Sequence, residues 1–484
     1  MSPPTARWPA ATRRSGRTTP AGPGSWWSRR GRSPSPGAAA CPGYPRSSGC
    51  TTVWTPGGRT RNLGRRRPVT PVLSADFGRL WAAQAVSQVA AKSGLLVLPL
   101  LAVLLLDASP GEVGLVNAAQ YAPVFVVTLL AGAWLDGRAR RPAMLAAHLG
   151  RALLLGLAAV MVLADAVHVW LLAAIALQVG CLTALADVAA HTYLPTLVPA
   201  AALPAANSRL EATYSVTQIA APGLGGIAVG AVGGSTLLAS LGATYAVAAA
   251  CLYRIRQPEP PAGPTRGAGA LRRIHEGARF TAGSPPLRSL MVQAAWFNLF
   301  EQVILTVYLV HAVRFLHFSP GLLGVTVALG AVGAVCGSAL ARRIERRVGI
   351  RGTLVRGMAV ASAAPLAIPL TAMPTPVAAA LCTVTFLAFG FGLTVFNVYS
   401  VSLRQRLAPD HLLGRVTATF RFVTFGTIWI GALVGGVAAE LLGTRPTIVL
   451  AAAALLLGWV HFAIVTRRVE PTLWTVGERL ECAS

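Results

Sequence analysis

The stretch Gly132-Ala133-Trp134-Leu135-Asp136-Gly137-Arg138-Ala139-Arg140-Arg141-Pro142 decides how the rest of the chain reads. It separates two apolar runs, 114–135 and 143–163. Each approximates the roughly 20 helical residues needed to cross a bilayer core. The connection is too short to be a domain, and it carries one acid, three arginines and a proline. Pro142 suits the first turn of a following helix, where its missing N–H is not needed. An arginine excess in so short a loop places it on the cytoplasmic side.

Composition extends this reading. The 484 residues are 54% hydrophobic and only 12% charged, against about 25% charged in an ordinary globular domain. Long uncharged runs in such a chain are membrane spans rather than buried core helices. The net charge of +26 raises a nucleic-acid reading, but its distribution opposes it. Residues 1–70 hold thirteen arginines and no acid, which is half of that charge. The remaining excess lies in short loops between apolar runs. The seven cysteines (Cys41, Cys50, Cys181, Cys251, Cys336, Cys382 and Cys482) form no CxxC pair and no cluster with zinc-like spacing. No metal and no structural disulfide is expected.

Residues 1–72 are rich in Pro, Gly, Ser and Arg and show no apolar periodicity, as expected of a disordered leader or an over-extended start. A lipid-touching basic tail and a nucleic-acid-binding arm are the rival readings of this segment. From Leu80 the chain becomes a series of spans: 80–106, 114–135, 143–163, 169–190, 212–232 and 236–253, then 290–310, 321–340, 353–370, 376–401, 416–442 and 447–465. The expected organisation is a leader (1–72), a six-helix half (73–255), a cytoplasmic linker (256–285), a second six-helix half (286–468) and a cytoplasmic tail (469–484). Arg151 and Arg421 interrupt the third and eleventh spans, and snorkelling toward the cytoplasm is expected of both.

Loop charge tests the topology. The connections 107–112, 164–168, 232–235 and 373–376 contain no arginine, and Arg314 and Arg445 are the exceptions on that side. The alternate connections hold Arg138, Arg140, Arg141, Arg209, Arg254, Arg256, Arg272, Arg273, Arg342, Arg343, Arg346, Arg347, Arg404, Arg406 and Arg415. This asymmetry puts both termini in the cytoplasm. The expected fold is therefore an all-α integral membrane protein with twelve transmembrane helices, because a span in lipid must satisfy its own backbone hydrogen bonds. A degraded copy of the opening loop, Gly337-Ser338-Ala339-Leu340-Ala341-Arg342-Arg343-Ile344-Glu345-Arg346-Arg347, sits at the matching place in the second half, with Arg342 in the acid slot.

The pattern small-x-x-x-Asp-x-x-x-Arg-Arg of the opening loop resembles the signature between helices 2 and 3 of the major facilitator superfamily of secondary transporters. Three further stretches narrow the resemblance. Tyr193-Leu194-Pro195-Thr196-Leu197-Val198-Pro199 is similar to the connection between helices 4 and 5 in a bacterial exporter branch that includes the enterobactin exporter and macrolide efflux proteins. Ala221-Pro222-Gly223-Leu224-Gly225-Gly226 resembles the helix-5 motif of antiporters, with Ala221 replacing its first glycine. Ser402-Leu403-Arg404-Gln405-Arg406 through Arg415-Val416 is similar to the branch's loop between helices 10 and 11.

The resemblance implies a cytoplasmic latch made by Gly132, Asp136, Arg140 and Arg141, in which Asp136 engages a helix N-terminus of the other half. It implies leak-limiting close packing at Pro222, Gly223, Gly225 and Gly226. It also implies a central cavity lined chiefly by spans 1, 4, 7 and 10, with spans 2, 5, 8 and 11 contributing. Polar residues in these spans are candidates for the cavity and for proton coupling: Lys92, Asn117, Gln120, Asp187, Asn298, Glu301 and Asn397. Ionisable groups at membrane depth are costly and usually functional, and a carboxylate in a partly dehydrated cavity can exchange protons near neutral pH. Asp187 and Glu301 are the coupling candidates, with Lys92 as an ion-pair partner.

The expected function is export of a small organic molecule, drug-like or siderophore-like, across the bacterial inner membrane. The expected mechanism is alternating access by proton antiport. The expected partners are substrate, protons and lipid, with no cofactor, no nucleic acid, no enzymatic motif and a monomeric state. Proton-coupled uptake is one alternative. A membrane-anchored sensor with a nucleic-acid-binding tail is the other.

Overall fold

Apolar sequence in lipid leaves the backbone to satisfy its own hydrogen bonds, and every regular element among the described residues is helical. The structure is a computed structural model and describes residues 74–135, 138–257, 259, 270–370 and 373–469. These belong to one compact unit, Val69–Ser484. The 1–72 leader, Asp136 and the tail beyond residue 469 lie outside the described residues.

The first six long helices are α1 (Ala75–Leu106), α2 (Pro110–Leu135), α3 (Arg140–Leu163), α4 (Val169–Leu197), α5 (Leu203–Val232) and α6 (Gly234–Tyr253). After the linker come α7 (Ala270–Gly283), α8 (Pro285–Arg314), α9 (Pro320–Ala363), α10 (Thr375–Leu407), α11 (Asp410–Gly426), α12 (Ile428–Leu442) and α13 (Thr444–Arg468). Nine helical stretches among the described residues are long and apolar enough to cross a membrane. The bent pair Leu203–Gln218 and Ala220–Val232 makes a tenth if taken as one span.

Three departures from straight helices have local causes. The two parts of α5 meet at 42°. Pro222 lies four residues after Gln218, so it offers no N–H to the Gln218 carbonyl and crowds it. Within α9, Gly349 adopts φ 70 and ψ 172, a conformation glycine tolerates. It divides the eighth and ninth expected spans, which otherwise run on as one element. The eleventh expected span is interrupted at Thr427, whose hydroxyl donates to Thr424 O (2.9 Å) and Ala295 O (3.1 Å).

The linker reads as polar in sequence, yet it contains α7. That helix packs on α11: Arg415 pairs with Glu276, and a Cβ on Gly277 would meet Arg415 O at 2.5 Å. Phe280 covers the small core of Leu287, Ala408 and Val416.

Helices α1–α6 pack chiefly among themselves, as do α8–α13. The two groups meet where α2 crosses α12 and where α5 crosses α9. Both crossings are lined by glycine. A Cβ on Gly226 would meet Gly324 Cα at 2.7 Å, and one on Gly114 would meet Gly436 Cα at 2.8 Å. The end of the bundle that carries the α3 N-terminus is rich in arginine. The far end carries the α1 C-terminus, where Asp107 caps the helix with φ 46.

Candidate functional site: the polar interior and its gating loop

The opening loop is anchored by the linker. Gly132 lies in the last turn of α2, while Asp136 is outside the described residues. Arg140 begins α3, and its backbone N–H donates to Glu259 Oε1 at 2.7 Å. Arg141 N donates to Glu259 Oε2 at 3.2 Å. A carboxylate here compensates the partial positive charge of the α3 N-terminus, and the Arg140 side chain adds an ion pair at 3.4 Å. Arg141 turns to the other helix end nearby, donating to Leu252 O (3.2 Å) and Tyr253 O (2.7 Å) of α6. Glu259 is therefore a partner of the loop arginines that sequence reading missed. Its isolation in a proline-rich linker was the available signal.

The helix-5 stretch lies in the α5–α9 crossing. A Cβ on Gly223 would meet the Ala328 Cβ at 2.3 Å, and one on Gly225 would meet Val97 at 3.0 Å. Ser93 of α1 donates to Ala221 O at 2.8 Å beside Pro222. Three helices therefore converge on this motif.

In the first helical group, the polar stripes of α1 and α4 face each other. Gln88 donates to Asp187 Oδ1 at 3.2 Å. Lys92, one turn farther along α1, does not reach Asp187. It donates to Tyr214 Oη at 3.3 Å, with its Nζ 4.6 Å from that ring's centroid. Arg151 does not snorkel. It starts about 16 Å along α3 from the helix's first residue, at 1.5 Å per residue, and it is 2% exposed. Its Nη1 donates to Thr183 Oγ1 (3.2 Å) and its Nε to Ala147 O (3.2 Å). Nη2 lies 2.7 Å from His148 Nδ1, and the guanidinium stacks 4.3 Å from the Tyr245 ring centroid. Arg421 is exposed and faces Glu211 of α5 at 3.9 Å.

In the second group, Asn298 donates to Thr424 O at 2.9 Å. Glu301 makes no hydrogen bond or ion pair among the described residues. It lies at an apolar pocket with Ile304, Leu305, Pro365, Ile368, Thr385, Phe386 and Phe389. Tyr121 of α2 lies within electrostatic range of both Glu301 and Tyr214. Asn117 of α2 is buried and donates to Thr306 Oγ1 of α8 at 3.5 Å, across the two groups. Gln120 is buried with its amide nitrogen unpaired. Asn397 is exposed and does not join these residues. The structure thus brings Lys92, Asn117, Gln120, Asp187 and Glu301 into the interior. It adds Tyr121, Arg151, Tyr214, Tyr245 and Thr306.

Known proteins fit this architecture. Multidrug efflux pump Tap of Mycolicibacterium fortuitum is 29% identical over 367 residues, covering 72% of this chain and 86% of its own. A bacterial homologue of the iron transporter ferroportin, solved in an inward-facing state, superposes with a TM-score of 0.66 at 16% identity, covering 81% of this chain and 98% of that one. The nucleoside transporter NupG gives a TM-score of 0.64 at 12% identity, over 81% of this chain and 100% of its own. The likeness to these solved structures is one of fold. The family model described as transmembrane secretion effector matches residues 67–472, and the chain belongs to that family of major facilitator transporters.

Proposed function

We propose that the protein exports a small, lipophilic organic molecule by proton antiport and alternating access. Glu301 carries this reading. It is a carboxylate among apolar side chains at membrane depth, with no partner among the described residues, and such a group is costly unless it works. Export rather than uptake is supported by the identity with an efflux pump over most of both chains.

In this reading α1–α6 and α8–α13 form two halves of six spans. Nine stretches pass by length and apolarity. The bent α5, the 26-residue α2 and the second arm of α9 beyond Gly349 bring the total to twelve. The arginine-rich end faces the cytoplasm of a bacterial inner membrane, with both termini on that side. Substrate and protons compete for the interior as the halves rock. Asp136 acts as the cytoplasmic latch, and Gly132, Arg140 and Arg141 shape its loop. The protein works as a monomer, without a cofactor and without nucleic acid.

Inverted membrane vesicles with a dye panel test this. Dye accumulation driven by an imposed proton gradient is expected from the parent. Glu301→Gln is expected to lose gradient-driven accumulation. Accumulation that survives collapse of the gradient would remove proton coupling from the account.

A further inference from the structure

The two interior acids sit in opposite electrostatic settings, and a buried arginine makes the difference. A guanidinium is not deprotonated in proteins, and a buried charge is strongly unfavourable unless compensated. Arg151 is 2% exposed, and its donors meet neutral groups: Ala147 O, Thr183 Oγ1 and His148 Nδ1. The Tyr245 ring face covers it. Its charge must therefore be balanced by something else. Asp187 lies one helical turn beyond Thr183 on α4 and within electrostatic range of Arg151.

Two cations, Arg151 of α3 and Lys92 of α1, lie within electrostatic range of Asp187, and the titratable His191 is one turn farther along its own helix. Gln88 of α1 donates to it at 3.2 Å, and Tyr245 of α6 senses its charge. The other helix packed on α4 is α2, whose described charged residue is Glu112, in its first turn at the far end. Glu301 differs. Tyr121 of α2 is a titratable group that senses it. The other side chains at its pocket, from α8, α10 and the turn after α9, are apolar apart from Thr385. No arginine, lysine or histidine among the described residues pairs with it.

We propose that Arg151 is a positioning residue for coupling: it is the fixed counter-cation that keeps Asp187 ionised, leaving Glu301 as the interior acid that takes up and releases the proton. The inference rests on the reading that Glu301 carries the coupling proton. An acid with fixed cations nearby holds its charge when its access to water changes. An acid without a cation changes charge readily when its access to water changes.

Infrared titration of the purified full chain tests this without needing a substrate. The signal is the protonated-carboxyl band that disappears as pH rises through neutrality. The parent is expected to show a band that is lost in Glu301→Gln and unchanged in Asp187→Asn. Arg151→Gln is expected to add a second titrating carboxyl band. That band should be absent from Arg151→Lys, which keeps the cation, and from the charge-balanced double variant Arg151→Gln/Asp187→Asn. No added band in Arg151→Gln, or loss of the parent band in Asp187→Asn, overturns the proposal. A parent band that survives both Glu301→Gln and Asp187→Asn overturns the coupling role of Glu301. The added band in Arg151→Gln still decides the Arg151–Asp187 relation in that case.

Discussion

At the residue scale the interior is governed by what a buried polar atom costs when its partner is missing. Thr183 shows this. Its hydroxyl donates to Val179 O at 2.7 Å and accepts from Arg151 Nη1 at 3.2 Å. Thr183→Val keeps the shape and removes the acceptor, leaving a guanidinium N–H unpaired. An unsatisfied buried group costs about 1–3 kcal/mol, more when charged. The expected outcome is a lower unfolding temperature for the detergent-purified variant, with Thr183→Ser close to the parent. Equal melting of Thr183→Val and parent would mean that water reaches Arg151. The stripe Thr183, Asp187 and His191 was legible in the sequence, because four-residue steps fall on one helix face. What Thr183 touches was not, because Arg151 belongs to another helix.

At the scale of elements, the chain relies on backbones that nearly touch. Gly324 of α9 lies against α5 so closely that a Cβ there would meet Ile227 N at 2.5 Å. Backbone cannot swing aside as a side chain can, so Gly324→Val must part the helices. Overpacking of this kind costs about 1–3 kcal/mol, and at this crossing it also props apart the two helical groups. Loss of dye transport with a reduced melting temperature is expected. Gly156→Ala on α3 is the matched control, since nothing lies within 4 Å of its added Cβ, and parent-like transport is expected of it. Equal behaviour of the two variants would show that the crossing does not need its glycines. The motif Pro222 to Gly226 announced small-residue packing, but its partner glycine on α9 has no comparable signature.

At the scale of the whole molecule, the far end is tied across the two groups. Arg314, at the end of α8, donates from Nη2 to Asp107 Oδ1 (2.7 Å), Asp107 O (2.8 Å) and Ala108 O (2.8 Å) at the end of α1. Glu440 of α12 accepts from Gly111 N at 3.0 Å at the start of α2. Such a tie favours a state closed at this end. Exposed pairs are worth about 0–1 kcal/mol each, so Arg314→Gln is expected to raise the population open at this end by up to about fivefold. Spin labels on the two groups near residues 109 and 317 would read this as a longer-distance component. An unchanged distance distribution would show that the glycine seams alone keep this end shut.

The sequence by itself determined that the chain is helical and membrane-spanning, because hydropathy is a sum over neighbouring residues and needs no knowledge of contacts. It also marked the opening loop and the helix-5 motif, whose constraints are local spacings. Only the tertiary structure decided that Arg151 is buried rather than snorkelling, that Lys92 meets Tyr214 rather than Asp187, and that Glu259 holds Arg140. Each of these depends on which side chains from distant parts of the chain share one low-dielectric neighbourhood, where the strength of a charge is set by its neighbours. Helix packing alone specifies those neighbours.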